Sequence, residues 1–309
     1  MNLCLIPTMT CHRLLLCAGI AIFLGAHAPS HAVDDPKPTP AEVEAEKNRI
    51  AADVAFQMGR AFLNGEGTPK DEKKALAFFR QAAELGNGKA QNNLGLMYAQ
   101  GRGADADPNE ALKWLRLAAA QGIPETQENL GLMLRFGRGV PKDVKEAAQW
   151  LEKAAAQGRL QAQSEAGHLY FSGKDGVERD YTKALRWLGA AAERGVAPAQ
   201  NTLGFMYESG MGTPIDLGTA VKWYRRAAES GNAKAQANLG SAYTTGKGVE
   251  KDWSRAYQWL SISASQGEVL GKVPLIELEK VIMPEDLAAG RKLAGEWLAQ
   301  HGHASQGLH

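Results

Sequence analysis

A glycine returns at Gly59, Gly95, Gly131, Gly167, Gly204 and Gly240, separated by 36, 36, 36, 37 and 36 residues. A period of this kind argues against dividing the 309 residues into two ordinary globular domains, because repeat arrays lengthen without adding domains. The rest of the unit keeps phase with it. Six residues later stands a second glycine (Gly65, Gly101, Gly137, Gly173, Gly210, Gly246), and an acid follows at Asp71, Asp107, Asp143, Asp180, Asp216 and Asp252. Next come Ala75, Ala111, Ala147, Ala184, Ala220 and Ala256, each with an aromatic three residues beyond: Phe78, Trp114, Trp150, Trp187, Trp223 and Trp259. A closing glycine ends each unit, at Gly86, Gly122, Gly158, Gly195, Gly231 and Gly267. The fourth unit, reading Ser172-Gly173-Lys174-Asp175-Gly176, holds the extra residue behind the interval of 37.

Each landmark has a local physical role. In Asp107-Pro108-Asn109-Glu110 the aspartate can accept from free amide N–H groups, proline fits the first helical position, and Glu110 can complete a capping box. Asp143 and Glu146 repeat the arrangement. The six aspartates therefore read as helix caps worth about 1 kcal/mol each, not as catalytic carboxylates. Behind the cap, Leu112, Leu115 and Ala119 share a helical face, with Trp114 and Ala118 as a second packed edge. The freedom of the closing glycine at positive φ suits the end of that helix. Earlier in the unit, Ala90, Leu94, Met97 and Tyr98 at i, i+4, i+7 and i+8 predict another helix. Gly95 falls inside it, where glycine costs about 1 kcal/mol against alanine. Six units accepting that cost point to close approach of a partner helix. The Gly-x-Gly between the two helices serves a tight turn and is no phosphate loop, since no strand precedes it and no Gly-Lys-Ser/Thr occurs. The six aromatics at fixed phase read as core.

Taken together, Ala-Gln-x-x-Leu-Gly-x-x-Tyr-x-x-Gly-x-Gly, then Asp-x-x-x-Ala-x-x-Trp-x-x-x-Ala-Ala, then glycine, resembles the Sel-one-like repeat (SLR), a relative of the tetratricopeptide repeat. Ala90 to Tyr98 and Ala235 to Tyr243 fit it closely, and the resemblance covers about residues 52 to 271. Phe78 departs from it in unit one, Leu134 in unit three and Ala166 in unit four. The resemblance implies an all-α fold, a right-handed α/α superhelical solenoid of six helix-turn-helix repeats over 51–271. The units fall at about 51–86, 87–122, 123–158, 159–195, 196–231 and 232–271, followed by C-terminal capping helices at 272–300. It also implies an adaptor role in protein complexes, in bacteria often in the envelope and in signalling or host contact. The cysteine pairs of the disulfide-bearing relatives are absent, so their penicillin-binding or lactamase-type activity is not carried over.

The flanks point to export. Residues 1–32 read as a signal peptide: Arg13 is the only formal side-chain charge, Leu14 to Ala26 is apolar, and Ser30-His31-Ala32 offers a cleavage site near Ala32. The apolar run, about 13 residues, is too short to span a bilayer of roughly 30 Å. The stretch before Arg13 is long for such a segment and becomes ordinary if translation starts at Met9. Cys17 lies near the start of the apolar run, not after it, which argues against a lipoprotein signal. Cleavage would remove Cys4, Cys11 and Cys17, leaving no thiolate for a disulfide, a metal or a substrate. The expected location is periplasmic, or secreted, with no stable membrane insertion after cleavage. Residues 33–50, carrying Pro36, Pro38 and Pro40, read as a flexible leader, and 301–309 as a disordered tail. With 35 basic against 34 acidic residues, no field of one sign calls for nucleic acid or an anionic membrane surface.

No catalytic site assembles from these residues. His168 is the only histidine of the predicted solenoid, and His-Glu-x-x-His, Gly-x-Ser-x-Gly and zinc-type cysteine spacings are missing. Neither a cofactor nor a metal is expected. Variable identity is instead found on one face of the first helices, as in Glu128, Leu132 and Arg135; Ser164, His168 and Phe171; Asn201, Phe205 and Glu208. The expected partner-binding strip is Leu132, Arg135, Phe136, His168, Phe171, Phe205 and Glu208, on the concave face. The alternative for Leu132, Phe136 and Phe205 is packing between repeats. The expected function is a non-catalytic protein-protein interaction scaffold, an adaptor or regulator of the bacterial cell envelope, with a protein partner and an oligomeric state the sequence leaves open. Two alternatives stand beside it. One is a cell-wall enzyme, a lactamase-like protein or peptidoglycan hydrolase, for which no nucleophile or paired acids are visible. The other is a secreted effector contacting host proteins.

Overall fold

A computed structural model describes residues 38–301. The expected signal peptide, the three cysteines, residues 33–37 and the tail beyond His301 lie outside the described residues. Two compact units are found, one ending at Lys47 and the other beginning at Asn48. In the first unit the chain is already helical from Pro40, in a helix α1 (Pro40–Asn64), so the leader expected to run to residue 50 stops at Thr39. The cause is a capping box. Glu42 reaches back to accept from the Thr39 N–H at 2.6 Å, and Thr39 Oγ1 accepts from the Glu42 N–H at 3.3 Å, with Pro40 at the first helical position.

The second unit is a stack of helical hairpins. After α1 come α2 (Glu72–Glu84), α3 (Gly88–Gln100), α4 (Pro108–Ala120), α5 (Pro124–Phe136), α6 (Val144–Ala156) and α7 (Leu160–Ser172). They are followed by α8 (Tyr181–Glu193), α9 (Ala197–Ser209), α10 (Leu217–Glu229), α11 (Ala233–Thr245) and α12 (Trp253–Ser265). The array closes with α13 (Val269–Glu279) and α14 (Pro284–His301). Odd-numbered helices up to α11 are first helices of a hairpin, and the even ones that follow are their partners. No strand occurs among the described residues.

Each hairpin is closed by contact between its mid-helix glycine and one apolar side chain of the partner helix. A Cβ at Gly95, Gly131 or Gly167 would stand 2.6 Å from Cγ of Leu115, Leu151 or Leu188, and one at Gly240 2.7 Å from Leu260 Cγ. Gly59 meets the Phe79 ring at 2.6 Å, and Gly204 the Tyr224 ring at 2.8 Å. No side chain larger than hydrogen fits, which accounts for the helix propensity given up at every unit. All six partners are among the largest fully buried side chains of the molecule. The aromatic column one residue earlier is shallower than expected: Trp114, Trp187 and Trp259 are buried, but Phe78, Trp150 and Trp223 are only half-buried. Two of these indoles keep their N–H where a carboxylate can accept it, Trp114 Nε1 donating to Glu110 at 2.9 Å and Trp150 Nε1 to Glu146 at 3.0 Å. The two glutamates do not close the expected capping boxes, since the Asp107 and Asp143 N–H groups donate to the Tyr98 and Leu134 carbonyls. The aspartate caps do form, all six accepting from a backbone N–H at 2.8–3.1 Å.

Between hairpins the join is polar. The glutamine of each Ala-Gln pair is buried and donates to a carbonyl at the end of the preceding partner helix: Gln91 to Ala83, Gln127 to Ala119, Gln163 to Ala155, Gln200 to Ala192 and Gln236 to Ala228. The end of the hairpin's own partner helix completes the ladder. Gln121, Gln157 and Gln266 donate to Oε1 of Gln91, Gln127 and Gln236 at 2.7–2.9 Å. Arg194 fills that role in the fourth repeat, also reaching Gly158 O at 2.7 Å. Ser230 is too short, bonds Arg226 O instead, and leaves the buried Gln200 Oε1 without a partner among the described residues. The turns also press on the preceding hairpin: Gly248, at φ +73, would put a Cβ 2.2 Å from Leu217 O.

At the C-terminal end, α13 takes the place of a seventh first helix, burying Gly271 and Leu278. The following α14 packs on α12, where Trp297 meets Trp259 at 6.0 Å. His301 belongs to α14, not to the expected tail, because its ring stacks on Trp297 at 4.4 Å. No helix among the described residues is long and apolar enough to cross a membrane.

Two stability measurements check these contacts. Gly131→Val should lower the urea midpoint by the equivalent of about 3 kcal/mol through overpacking against Leu151, and Leu151→Ala in the same chain should recover part of it. Ser230→Gln should raise stability by about 1 kcal/mol by supplying the missing donor to Gln200.

Candidate binding face

Neighbouring first helices in the middle of the array touch one another directly, α5 with α7 and α7 with α9, and so line one face of the stack. Bonds between repeats cross this face. Arg135 of α5 forms an ion pair with Glu165 of α7. Asn238 of α11 donates to Asn201 of α9 at 2.9 Å. The buried Glu128 takes the Arg159 guanidinium and also accepts from the Ala162 N–H at 3.0 Å. Arg135 of the expected strip thus carries part of the load between repeats.

The seven strip residues divide by what they touch. Leu132 is half-buried against the central core cluster. Arg135 is held by Glu165 and lies against the Phe136 ring at 5.1 Å. His168 Nδ1 lies 2.7 Å from Ser164 O and Nε2 3.1 Å from Thr202 Oγ1, so both ring nitrogens have partners. Burial, with the nearby Arg135 charge as a smaller contribution, pulls the imidazole below its ordinary 6.5, while the Ser164 carbonyl acts the other way. Phe171 is half-buried between Tyr181 and Phe205, edge-on to the latter at 6.2 Å. Glu208 accepts from the Tyr224 hydroxyl at 2.6 Å, and burial raises the Tyr224 phenol above its ordinary value. Of the seven, only Phe136, 47% exposed, and Phe205, 40% exposed, are exposed apolar side chains.

Phe205 stands at the mouth of an open hollow of about 590 Å³ that also takes in Glu208, Ile215, Asn238 and Lys247. Its lining combines apolar Phe205, Ile215 and Leu217 with one acid and one base, a composition that suits an extended peptide. Ile215, 66% exposed, and Lys247 are absent from the sequence-derived strip because both lie between helices. The signal for Ile215 was an apolar residue directly before the Asp216 cap. A second hollow of about 530 Å³ is lined by Glu128, Arg159, Ser164, Glu165 and Arg194 together with Leu160 and Val196.

A family model described as the Sel1 repeat matches the chain six times, at residues 52–87, 88–123, 124–158, 160–196, 197–232 and 233–268. Among solved structures, the chain is similar to a Sel1 repeat protein from Oxalobacter formigenes. The two share 32% identity over 94% of this chain and 86% of that one, with a TM-score of 0.65. It is also similar to c5321, described as a protective antigen present in uropathogenic Escherichia coli strains and displaying an SLR fold. Here identity is 33% over 85% of this chain, with a TM-score of 0.62, and the chain spans 56% of the length of c5321. No curated protein matches the chain.

The half-buried His168 gives a pH dependence with a definite sign. Folded His168 resists protonation, whereas the unfolded chain takes a proton near 6.5. The unfolded state therefore binds more protons below that value, and stability present in full above it declines as the pH falls through 6.5 toward the depressed folded value. Melting temperatures at about pH 7.5 and pH 5 should differ less in His168→Gln than in the parent chain.

Proposed function

This chain belongs to the Sel1 repeat family, and from that premise we propose that it is a non-catalytic adaptor of the bacterial cell envelope, holding a protein partner on the concave face lined by its first helices. Sel1 repeat proteins are in general protein-interaction scaffolds. One observation carries the choice of face. On helices whose other large apolar side chains are turned into the stack, Phe136 and Phe205 stay exposed, and Phe205 borders a hollow with a carboxylate and an ammonium in its walls. An exposed aromatic beside an unfilled cleft is the usual form of an anchor point for a partner side chain.

The proposed location, periplasmic or secreted after cleavage near Ala32, rests on the signal-like residues 1–32. The likeness to an antigen supports it, though c5321 is a longer protein. An adaptor also requires that the purified protein leave peptidoglycan and β-lactam substrates intact.

The binding face is tested with Phe136→Ala/Phe205→Ala. Both rings are exposed, so circular dichroism and melting should be unchanged while crosslinked capture of envelope partners falls at least tenfold. Unchanged capture by the folded variant would remove this face. The location is tested by fractionating cells that express a C-terminally tagged chain and measuring its intact mass, with an N-terminus at Val33 expected.

A further inference from the structure

We infer that the two ends of the repeat array dock on one another between copies of this chain, α13 of one molecule covering the start of the array in the next. The array supplies its own control for the first end. In α3, α5, α7, α9 and α11, the residues five before and one before the mid-helix glycine are 3% exposed or less: Ala90 and Leu94, Thr126 and Leu130, Ala162 and Ala166, Ala199 and Leu203, Ala235 and Leu239. The preceding hairpin covers them. Among the described residues no hairpin precedes α1, and the equivalents Val54 and Met58 are 58% and 40% exposed, with Ile50 one turn earlier at 49%. A solenoid that ends in water needs a polar outer face there. This one keeps an apolar stripe.

The opposite end is open in the same way. Because α14 packs on α12, α13 rests on α11 and α12 with no described helix over its outer side, and Val269, Val273 and Ile276, at i, i+4 and i+7, are 63%, 58% and 55% exposed. Each stripe covers about two helical turns, roughly 10–12 Å, so the two match in length. Their chemistry also selects the occupant. The glutamine that ties each later hairpin to the one before is replaced in the first repeat by Ala55, so this end offers no amide to the carbonyls of a regular repeat helix. It fits a purely apolar stripe, which α13 presents. Pairing α1 with α1 would leave α13 bare, whereas end-to-end contact covers both faces and gives open chains or a closed ring.

The test uses the full chain carrying Cys4→Ser, Cys11→Ser and Cys17→Ser, with single cysteines added as Val54→Cys or Val273→Cys. Mixed and oxidised, the two should form a Val54→Cys to Val273→Cys disulfide well above the yield with an exposed Glu229→Cys control. Light scattering should show a mass that rises with concentration and returns to one chain in Val54→Asp and in Val273→Asp, with helix content unchanged because both sites are exposed. A single-chain mass at every concentration, or crosslinking only between two copies of Val54→Cys, would overturn the inference.

Discussion

The contact of a backbone without a side chain against a buried leucine, phenylalanine or tyrosine is the constraint from which the rest of this structure follows. At Gly95 and Leu115, and at the five equivalent pairs, the two helices of a hairpin approach until only hydrogen fits between them. That approach fixes which side of each helix is spent on the hairpin. The aspartate caps and the glycine turns then have only to begin and end helices of the right length. Contacts between hairpins use different chemistry, a buried glutamine meeting a carbonyl of the preceding helix end. Shape closes each unit, and hydrogen bonding sets the register of one unit on the next.

This division of labour determines what the exposed face can do. The glycine and its neighbours occupy one side of a first helix, so the opposite columns are released from hairpin packing and vary from unit to unit. They are not released altogether. Arg135 with Glu165, His168 with Thr202 and Asn238 with Asn201 stitch adjacent first helices together. The face is thus a frame of bonded polar groups in which Phe136, flanked by Arg135 and Arg138, and Phe205, edge-on to Phe171, are the most exposed rings.

The hairpins, their caps and their number were legible in the sequence because each depends on residues close together in the chain, repeated six times in phase. The depth of the core was less so. Trp114 and Leu115 are both apolar and adjacent, and helical periodicity does not say which one meets a glycine twenty residues away. The expected capping boxes at Glu110 and Glu146 do not close because the Asp107 and Asp143 N–H groups donate to the Tyr98 and Leu134 carbonyls, leaving the glutamates to accept from the indole N–H. A real capping box, Thr39 with Glu42, was hidden by surrounding prolines that read as extended chain. In the candidate strip, helical spacing placed the seven residues on first helices. It could not show that Arg135 and His168 are bonded to partners about thirty residues on, since those pairings exist only once the hairpins stack.

The gap at Ser230 has a mechanical meaning. Partner helices of the second, fourth and other amply cross-linked repeats are fastened at their ends to the glutamine spine, as Gln121 and Arg194 are also to the glycine carbonyl behind them. The fifth repeat lacks this fastener, and its junction with the fourth is where Phe171 meets Phe205. The junction itself keeps its other ties, Gln200 to the Ala192 carbonyl and His168 to Thr202, so the loss is one bond inside the fifth hairpin, and the wall that carries Phe205 stays anchored to the repeat before it.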